Sequence, residues 1–390
     1  MMKTYLVGGA VRDKLLGYPY CEHDWVVTGS SPEEMKDLGF TPVGKDFPVF
    51  LHPHTKEEYA LARTERKSAP GYSGFVFHTA PEITLEEDLQ RRDLTINAIA
   101  EDESGKLIDP YNGTKDIELK LLRHVSNAFT EDPVRILRVA RFAARYHHLG
   151  FRVATETLQL MTQMTEQGEV DHLVPERVWK EWQRALGERS PQEFIQTLQL
   201  CQALDVIVPE LSQRLELNHA PLERLHTALP LSDCERIRLG VLLFDLDTEN
   251  SDTCCQLITQ LCTRLGTPKA ERELLIKVAL HHSSAFKFQQ LNSTEQLQLL
   301  SQLDAFRRPQ LLEEFSLCCH IIARQQSIEF DHHGLIQALE LCNSVQTKDI
   351  IASGITGKAI GAAITTQRIA LLSEQLKQHA TTPPSPTDQP

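Results

Sequence analysis

Four clusters of residues in this sequence have the types and spacing to work on a phosphate. Gly8-Gly9-Ala10-Val11-Arg12-Asp13 follows a short apolar run. A strand that ends on two glycines and turns into a helix brings backbone close to a ligand and offers unpaired N–H groups to an anion. Arg12 adds a charged donor there. Glu22-His23-Asp24 precedes the apolar run Trp25–Thr28. Acids at i and i+2 of a strand share a face, and two converging carboxylates can hold a divalent cation for phosphoryl transfer. Arg91-Arg92-Asp93, with Asn97 beyond it, reads as the start of an apolar helix. Its guanidinium forks suit a triphosphate and a ribose. Asp132, Arg135, Arg138, Arg141 and Arg145 recur at spacings of 3, 3, 3 and 4, with apolar residues such as Ile136, Val139 and Phe142 between them. That spacing predicts one face of a helix. An arginine there can donate to a base edge, and an aspartate can accept from an exocyclic amine. Taken singly, each cluster has a bland alternative: a turn, a chance pair of acids, an ion-pair cluster, a salt-bridged helix.

These clusters need elements to position them. Residues 1–120 read as mixed α and β. Strands are predicted at Thr4–Val7, Trp25–Thr28, Phe47–His52 and Glu58–Arg63, and helices at Ala10–Leu16 (stopped by Gly17) and Pro32–Leu38 (capped by Ser30 or Ser31, stopped by Gly39). Residues 66–84 read as a polar loop broken by Pro70-Gly71 and Gly74. From about residue 130 leucine, glutamine and alanine dominate with helical periodicity, and residues 381–390 read as a disordered proline-rich end. The expected fold class is α+β: a small mixed sheet with helices as head, then an all-helical neck, body and tail.

Composition narrows the function classes. A hydrophobic fraction of 41% excludes a mostly disordered chain. No apolar run approaches the ~20 residues of a membrane span, and Arg12, Asp13 and Lys14 interrupt any leader pattern. Nine cysteines without a C-x-x-C pair suit reduced thiols and a cytoplasmic location. The net charge of −13 argues against a non-specific polyanion binder. Residues 120–152 nevertheless hold seven lysines and arginines against Glu131 and Asp132, a local stripe that can hold phosphates.

In this order and at these intervals the four clusters resemble the class II tRNA nucleotidyltransferases, the CCA-adding enzymes related to bacterial poly(A) polymerases, and most of all their long bacterial "multifunctional" form. Matching stretches include YLVGGAVRD at 5–13, HDWVVTGSSPEEM at 23–35, GKDFPVFLHPHTKEEYALARTERKS at 44–68, EDLQRRDLTINAIA at 87–100, IDPYNGTKDI at 108–117, LRHVSNAFTEDPVRILRVARFAARY at 122–146 and PERVWKEWQRAL at 175–186. The likeness is strong over about residues 3–215 and weaker beyond. It implies a nucleotidyltransferase head (1–120), a neck with a nucleotide-templating helix (121–215), a degenerate HD-like region (216–330), a helical tail (331–380) and the C-terminus 381–390. It implies that Glu22 and Asp24 are the catalytic, metal-holding carboxylates for Mg²⁺, with Glu65 a candidate third acid. Gly9, Arg12, Arg92, Asp93, Asp132, Arg135, Arg138 and Arg141 would bind nucleotide: Arg92 the sugar-phosphate, Asp93 the ribose hydroxyl, Asp132 and Arg135 the base edge of CTP or ATP. Asp109, Pro110 and Gly113 match a hinge. The implied partners are tRNA, with ATP and CTP as substrates, no membrane, and a monomer or dimer.

The chain departs from the family at two places. The family pattern at the metal carboxylates is Asp-x-Asp, so Glu22 is one methylene longer, and Mg²⁺ tolerates little displacement. Where the HD domain needs a His-Asp pair, this chain reads Phe244-Asp245, which leaves an imidazole ligand missing and predicts a scaffold without phosphohydrolase activity. The other readings kept open are a poly(A) polymerase, a partial enzyme adding only CC or only A, and a catalytically weak tRNA-binding protein. The remaining histidines and cysteines, among them His281-His282, His332-His333 and Cys254-Cys255, read as structural.

Overall fold

The computed structural model describes residues 2–19, 23–43, 49–67 and 75–381. Glu22 and all but the first residue of the expected disordered end lie outside them. The chain divides into two compact units, Met1–Ser212 and Gln213–Pro390.

The first unit opens with β1 (Lys3–Val7), α1 (Gly9–Leu16), β2 (Asp24–Thr28), α2 (Pro32–Asp37), β3 (Thr41–Val43), β4 (Val49–Leu51) and β5 (Glu58–Leu61). It continues with β6 (Arg63–Lys67), β7 (Phe75–Thr79), α3 (Leu85–Gln90), β8 (Ala100–Glu101), β9 (Leu107–Ile108) and α4 (Gly113–Leu119). Among the described residues the main sheet runs in the order β3-β4-β5-β2-β1-β8-β9. At its centre β2 pairs antiparallel with β1 and parallel with β5, which sets Asp24 beside Val7 on one side and Glu58 on the other. The alternation of β2 feeds both faces: Val26 packs with Val7, Ala62 and Leu89, and Val27 with Met35, Phe50 and Leu61.

Two expectations fail in this region. The stretch read as a loop contains β7, which forms a separate antiparallel ribbon with β6. The helix expected to open at Arg91 ends there instead: α3 runs from Leu85 to Gln90, with Thr84 and Glu87 forming a reciprocal capping box. The apolar stretch after it folds as a single 3₁₀ turn, Thr95–Asn97. Leu94, Ile96, Ala98 and Ile99 are all fully buried, so the stretch is apolar because it is enclosed, not because it is amphipathic.

The unit ends in helices. A short parallel pair, β10 (Leu121–Leu122) and β11 (Arg152–Val153), brackets α5 (Val134–Tyr146); α6 (Thr155–Glu166), α7 (Pro175–Gly187), α8 (Gln192–Leu200) and α9 (Ala203–Ile207) follow. α5 packs on α7 and α8.

α10 (Pro209–Leu217) carries the boundary. The second unit continues with α11 (Ala220–Ala228), α12 (Glu235–Leu243), α13 (Ser251–Arg264), α14 (Lys269–Phe286) and α15 (Ser293–Gln302). α16 (Pro309–Gln325), α17 (His332–Asn343), α18 (Thr347–Ala352) and α19 (Ala359–Thr381) complete it. Its core gathers Val241, Leu274, Val278, Phe315 and Ile322 from α12, α14 and α16. The eight described cysteines are free thiols. No described helix is long and apolar enough to cross a membrane.

Candidate active site

A cavity of about 620 Å³ opens in the first unit. Its walls are the ends of β1, β2 and β5, the segment 91–97, and the inward faces of α5 and α7. It brings together Gly9, Arg12, Asp24, Arg92, Asp93, Asp132, Arg135, Arg138 and Arg141, which are all the expected site residues except Glu22.

Gly8 makes the turn from β1 into α1. Its φ of 68° is a conformation that favours glycine, and a Cβ there would lie 2.9 Å from Arg92 NH1. The close approach lets Arg92 cross the strand end. Arg92 is held by Asp88, whose carboxylate also accepts from Arg91 at 2.6 Å. Asp88 is fully buried. Burial alone would raise its pKa, but Arg91 and Arg92 outweigh it and keep the carboxyl below the usual range. So the two adjacent arginines are anchored from behind by an acid that the sequence reading passed over. The Nε of Arg92 is buried without a partner among the described residues; its terminal nitrogens donate once each, to Asn97 O and Asp88, which leaves one hydrogen on each.

Arg12 is 4% exposed. Its Nε and NH2 clamp Asp13 at 2.8 and 2.9 Å, and its NH1 donates to Asn97 Oδ1. The guanidinium lies over the rings of Phe142 and Tyr146. Asp13 also accepts from the Tyr146 hydroxyl at 2.8 Å. These contacts use three of the five guanidinium hydrogens, leaving one on each terminal nitrogen.

Asp93 donates nothing and accepts three times: from Leu94 N and Asn97 Nδ2 on Oδ1, both at 2.9 Å, and from Arg138 Nε on Oδ2 at 2.7 Å. Burial would raise its pKa; Arg138, Asn97 and Arg135 reverse that and hold it ionised well below the usual carboxylate range.

Arg135, Arg138, Arg141 and Arg145 all reach the cavity from α5. Asp132 does not share the helix with them: it lies ahead of Pro133, in extended conformation, and its Oδ1 accepts from Val134 N at 3.1 Å as a helix-start cap. A residue that bonds the first helical N–H must sit outside the helix, which is why the spacing of three overstated the helix by two residues at its start.

α7 forms a second wall whose residues the sequence reading did not single out. Arg177 grips both oxygens of Asp132, at 3.0 and 2.7 Å. Glu181, 6% exposed, takes Arg141 Nε at 2.5 Å and lies 3.9 Å from Arg138. Arg184, exposed on the same face, also lines the cavity. The spacing 177, 181, 184 is a helical face, and this was the available signal.

At the strand ends Asp24 is exposed. Glu57 holds the residues beside it, accepting from Trp25 Nε1 at 3.3 Å and bonding His23 Nδ1 at 2.9 Å. Glu58, beside Asp24 in parallel register, lines the cavity too. The sequence reading missed it because the pairing of β2 with β5 cannot be read from either strand. Glu65 lies on β6, and its side chain is outside what the structure describes. Asp109 caps α4 through Gly113 N and Thr114 N at 2.7 and 2.9 Å. Gly113 leaves no room for a Cβ, which would fall 2.2 Å from Thr95 O.

The sequence comparisons agree with this geometry. A poly A polymerase head domain matches residues 4–123, and the probable RNA and SrmB- binding site of polymerase A matches residues 150–215. Multifunctional CCA proteins of Teredinibacter turnerae and of Legionella pneumophila (strain Philadelphia 1) are 50% and 48% identical, covering 94% and 95% of this chain and 97% of each relative. The chain belongs to the multifunctional CCA protein family. Solved structures share the fold at lower identity. One is an apo CCA-adding enzyme (TM-score 0.69, 22% identical, 97% of this chain and 91% of that one). Another is the Thermotoga maritima CCA-adding enzyme complexed with tRNA_CCA (TM-score 0.63, 23% identical, 97% and 90%).

In this family member the segment expected to correspond to the HD motif is closed. Asp245 accepts from Arg214 NH2 at 2.7 Å and from Arg224 NH2 at 2.5 Å, and Arg214 Nε also donates to its backbone carbonyl. Arg224 is 1% exposed and lies over the Phe244 ring. His282 packs edge-on against the same ring. His332-His333 has no third histidine nearby in sequence; in space the His320 ring lies 4.6 Å from that of His332. No described group of three histidine, cysteine or acidic side chains is arranged to hold a metal ion.

Proposed function

We infer that this chain is a tRNA nucleotidyltransferase that adds C, C and A to the tRNA 3′ end from CTP and ATP, without a nucleic-acid template, and so also repairs incomplete ends. The observation that carries this is one cavity. It joins the exposed carboxylate of Asp24 to an arginine wall and ends on Asp132 and Arg135. The named functions of the relatives, CCA proteins at about half identity over nearly the whole chain, support it.

In this reading Arg92 and Arg12 hold the triphosphate through the hydrogens their internal partners leave open. Asp93, kept ionised, accepts from a ribose hydroxyl. Asp132 accepts from the exocyclic amine shared by cytosine and adenine, and Arg135 donates to the ring edge, so a base without that amine is rejected. Arg138 and Arg141, tied to Asp93 and Glu181, stiffen that wall. The carboxylate oxygens at the strand ends are hard donors and fit Mg²⁺, with Glu22 and Asp24 as its holders. When bound, Mg²⁺ lowers the barrier to attack of the 3′ hydroxyl on the α-phosphate and stabilises the leaving pyrophosphate. The tRNA is recognised by shape and backbone, and the chain works in the cytoplasm. The region 216–330 is an HD-like scaffold without phosphohydrolase activity, because Asp245 is committed to two arginines.

The test is to incubate the protein with Mg²⁺, CTP, ATP and a tRNA ending before CCA, and to read the product at nucleotide resolution. We expect C, C and A, then a stop. A stop after CC, addition of A alone to a CC end, or a long A tail replaces this reading with a partial enzyme or a poly(A) polymerase. Binding of tRNA without extension leaves a binding protein.

A further inference from the structure

Asn97 is a buried amide that both walls of the cavity use. It is 6% exposed, at the end of the turn Thr95–Asn97. The turn is tied down by Thr95 N to Arg123 O at 2.8 Å and by Thr95 Oγ1 to Asp116 of α4 at 2.7 Å. From this fixed base the Asn97 amide reaches two candidate nucleotide-binding side chains. Its Oδ1 accepts from Arg12 NH1 and its Nδ2 donates to Asp93 Oδ1 at 2.9 Å. Its backbone carbonyl accepts from a third, Arg92 NH1, at 3.4 Å. The amide has one possible orientation, because arginine can only donate and an ionised carboxylate can only accept.

The bond to Asp93 has a consequence for ligand binding. Leu94 N and Asn97 Nδ2 together use both lone pairs of Asp93 Oδ1, whereas Oδ2 takes only Arg138. Oδ2 is therefore the oxygen with acceptor capacity left, and Asn97 decides that it is. The amide also joins two charged clusters. On one side stand Arg12, Asp13 and Tyr146; on the other, Asp93, Arg138 and Glu181. No other residue type does both tasks without adding charge: an aspartate loses the donor, a leucine both groups, and glutamine is one methylene too long.

We propose that Asn97 is a positioning residue for nucleotide binding, fixing Arg12 for the triphosphate and presenting Asp93 Oδ2 to the ribose 2′ hydroxyl. This rests on the reading that Asp93 faces the ribose, and its primary readout is equilibrium binding, so it can fail or stand independently of tRNA extension.

The experiment measures the Kd of CTP and of 2′-deoxy-CTP for the full chain and for Asn97→Asp and Asn97→Ala, from pH 8 to pH 6, with thermal unfolding of each. In Asn97→Asp the new carboxylate faces that of Asp93. Two carboxylates at hydrogen-bond distance share a proton rather than both ionise. The charged groups around the pair are Arg12 and Asp13 from α1, Arg92 beside Asp93, Arg135 and Arg138 from α5, and Asp116 from α4. At pH 8 we expect CTP binding to weaken by roughly 10- to 100-fold in both variants, with the preference for CTP over 2′-deoxy-CTP largely lost. Toward pH 6 the shared proton restores the donor, so Asn97→Asp recovers relative to the native chain and Asn97→Ala does not. Native-like Kd values and sugar preference in Asn97→Asp overturn the proposal. So does equal loss in both variants without recovery at low pH, which marks a purely structural amide. If Asn97→Asp does not fold, Asn97→Ala decides: a folded variant that keeps its sugar preference overturns the proposal, and loss of that preference upholds it.

Discussion

Both units of this chain build clusters of arginine around aspartate, and the two clusters do opposite things. In the first unit ten arginines line the cavity against four acids, Asp24, Glu58, Asp93 and Asp132. Internal partners orient Arg12 and Arg92 and do not exhaust them. Arg12 keeps a hydrogen on each terminal nitrogen, and so does Arg92, whose terminal nitrogens donate once each. In the second unit Arg214 and Arg224 close on the single carboxylate of Asp245, and the backbone carbonyls of Asp245 and Val241 take further donors. A buried cationic cluster becomes a binding site when its donors outnumber its own acceptors and solvent can reach the excess. When the donors are spent internally the same residue types are cement.

The sharpest way to break this contrast is at an exposed carboxylate of the strand ends, Asp24. Asp24→Asn removes the charge of an exposed side chain and keeps its size. We expect nucleotide addition to fall on the order of 10³-fold, the scale of losing a principal electrostatic group at a reacting centre, with thermal unfolding unchanged. A shared loss of activity and stability would mean that Asp24 belongs to the scaffold. The second unit should respond the other way. Asp245→Ala strands two arginines that are 4% and 1% exposed, and breaking a buried pair costs about 3–5 kcal/mol. We expect a large fall in unfolding temperature with CTP affinity retained. Neither the native chain nor the variant should hydrolyse a 2′,3′-cyclic phosphodiester with Ni²⁺ or Mn²⁺; metal-dependent turnover in the native chain would show that Asp245 is an active ligand after all.

How much of this was legible in the sequence follows from how far apart the partners stand. The turn from β1 into α1, the strand at Trp25 and the arginine face of α5 depend on glycine placement and periodicity, and both are local. α3 was missed although its Thr84-x-x-Glu87 box is local, because Arg91-Arg92 drew the helix start to the wrong side of itself. The ribbon of β6 and β7 was missed because glycine and proline between them outweighed the short apolar run Phe75–Phe77. The site itself was readable as a set of residue types and unreadable as a set of bonds. Arg177 meets Asp132 across 45 residues, Glu181 meets Arg141 across 40, and Tyr146 meets Asp13 across 133. The same holds for Asp245: the phenylalanine before it was visible, and the two arginines that fill its shell were not.

The smallest expected effect tests whether the second unit's cluster is sealed. His282 packs on Phe244 beside Asp245 and Arg224. Its burial pushes its pKa down, against the opposing pull of the Val278 and Ala279 carbonyls and of Asp245. A histidine depressed in the folded state favours folding above its unfolded pKa of about 6.5 and withdraws that favour as pH falls below it. Asp88 and Asp93 in the first unit are depressed carboxylates, so their contribution is full at that pH and declines only in the acid range below about 4. Mild acid should therefore reach the Asp245 cluster before the anchors of the cavity. An NMR titration of the His282 ring checks this. A midpoint below 6.5 fits a sealed, neutral imidazole. A midpoint above 6.5 would mean that Asp245 pairs with His282 strongly enough to hold its proton, and that its carboxylate is not spent on the two arginines.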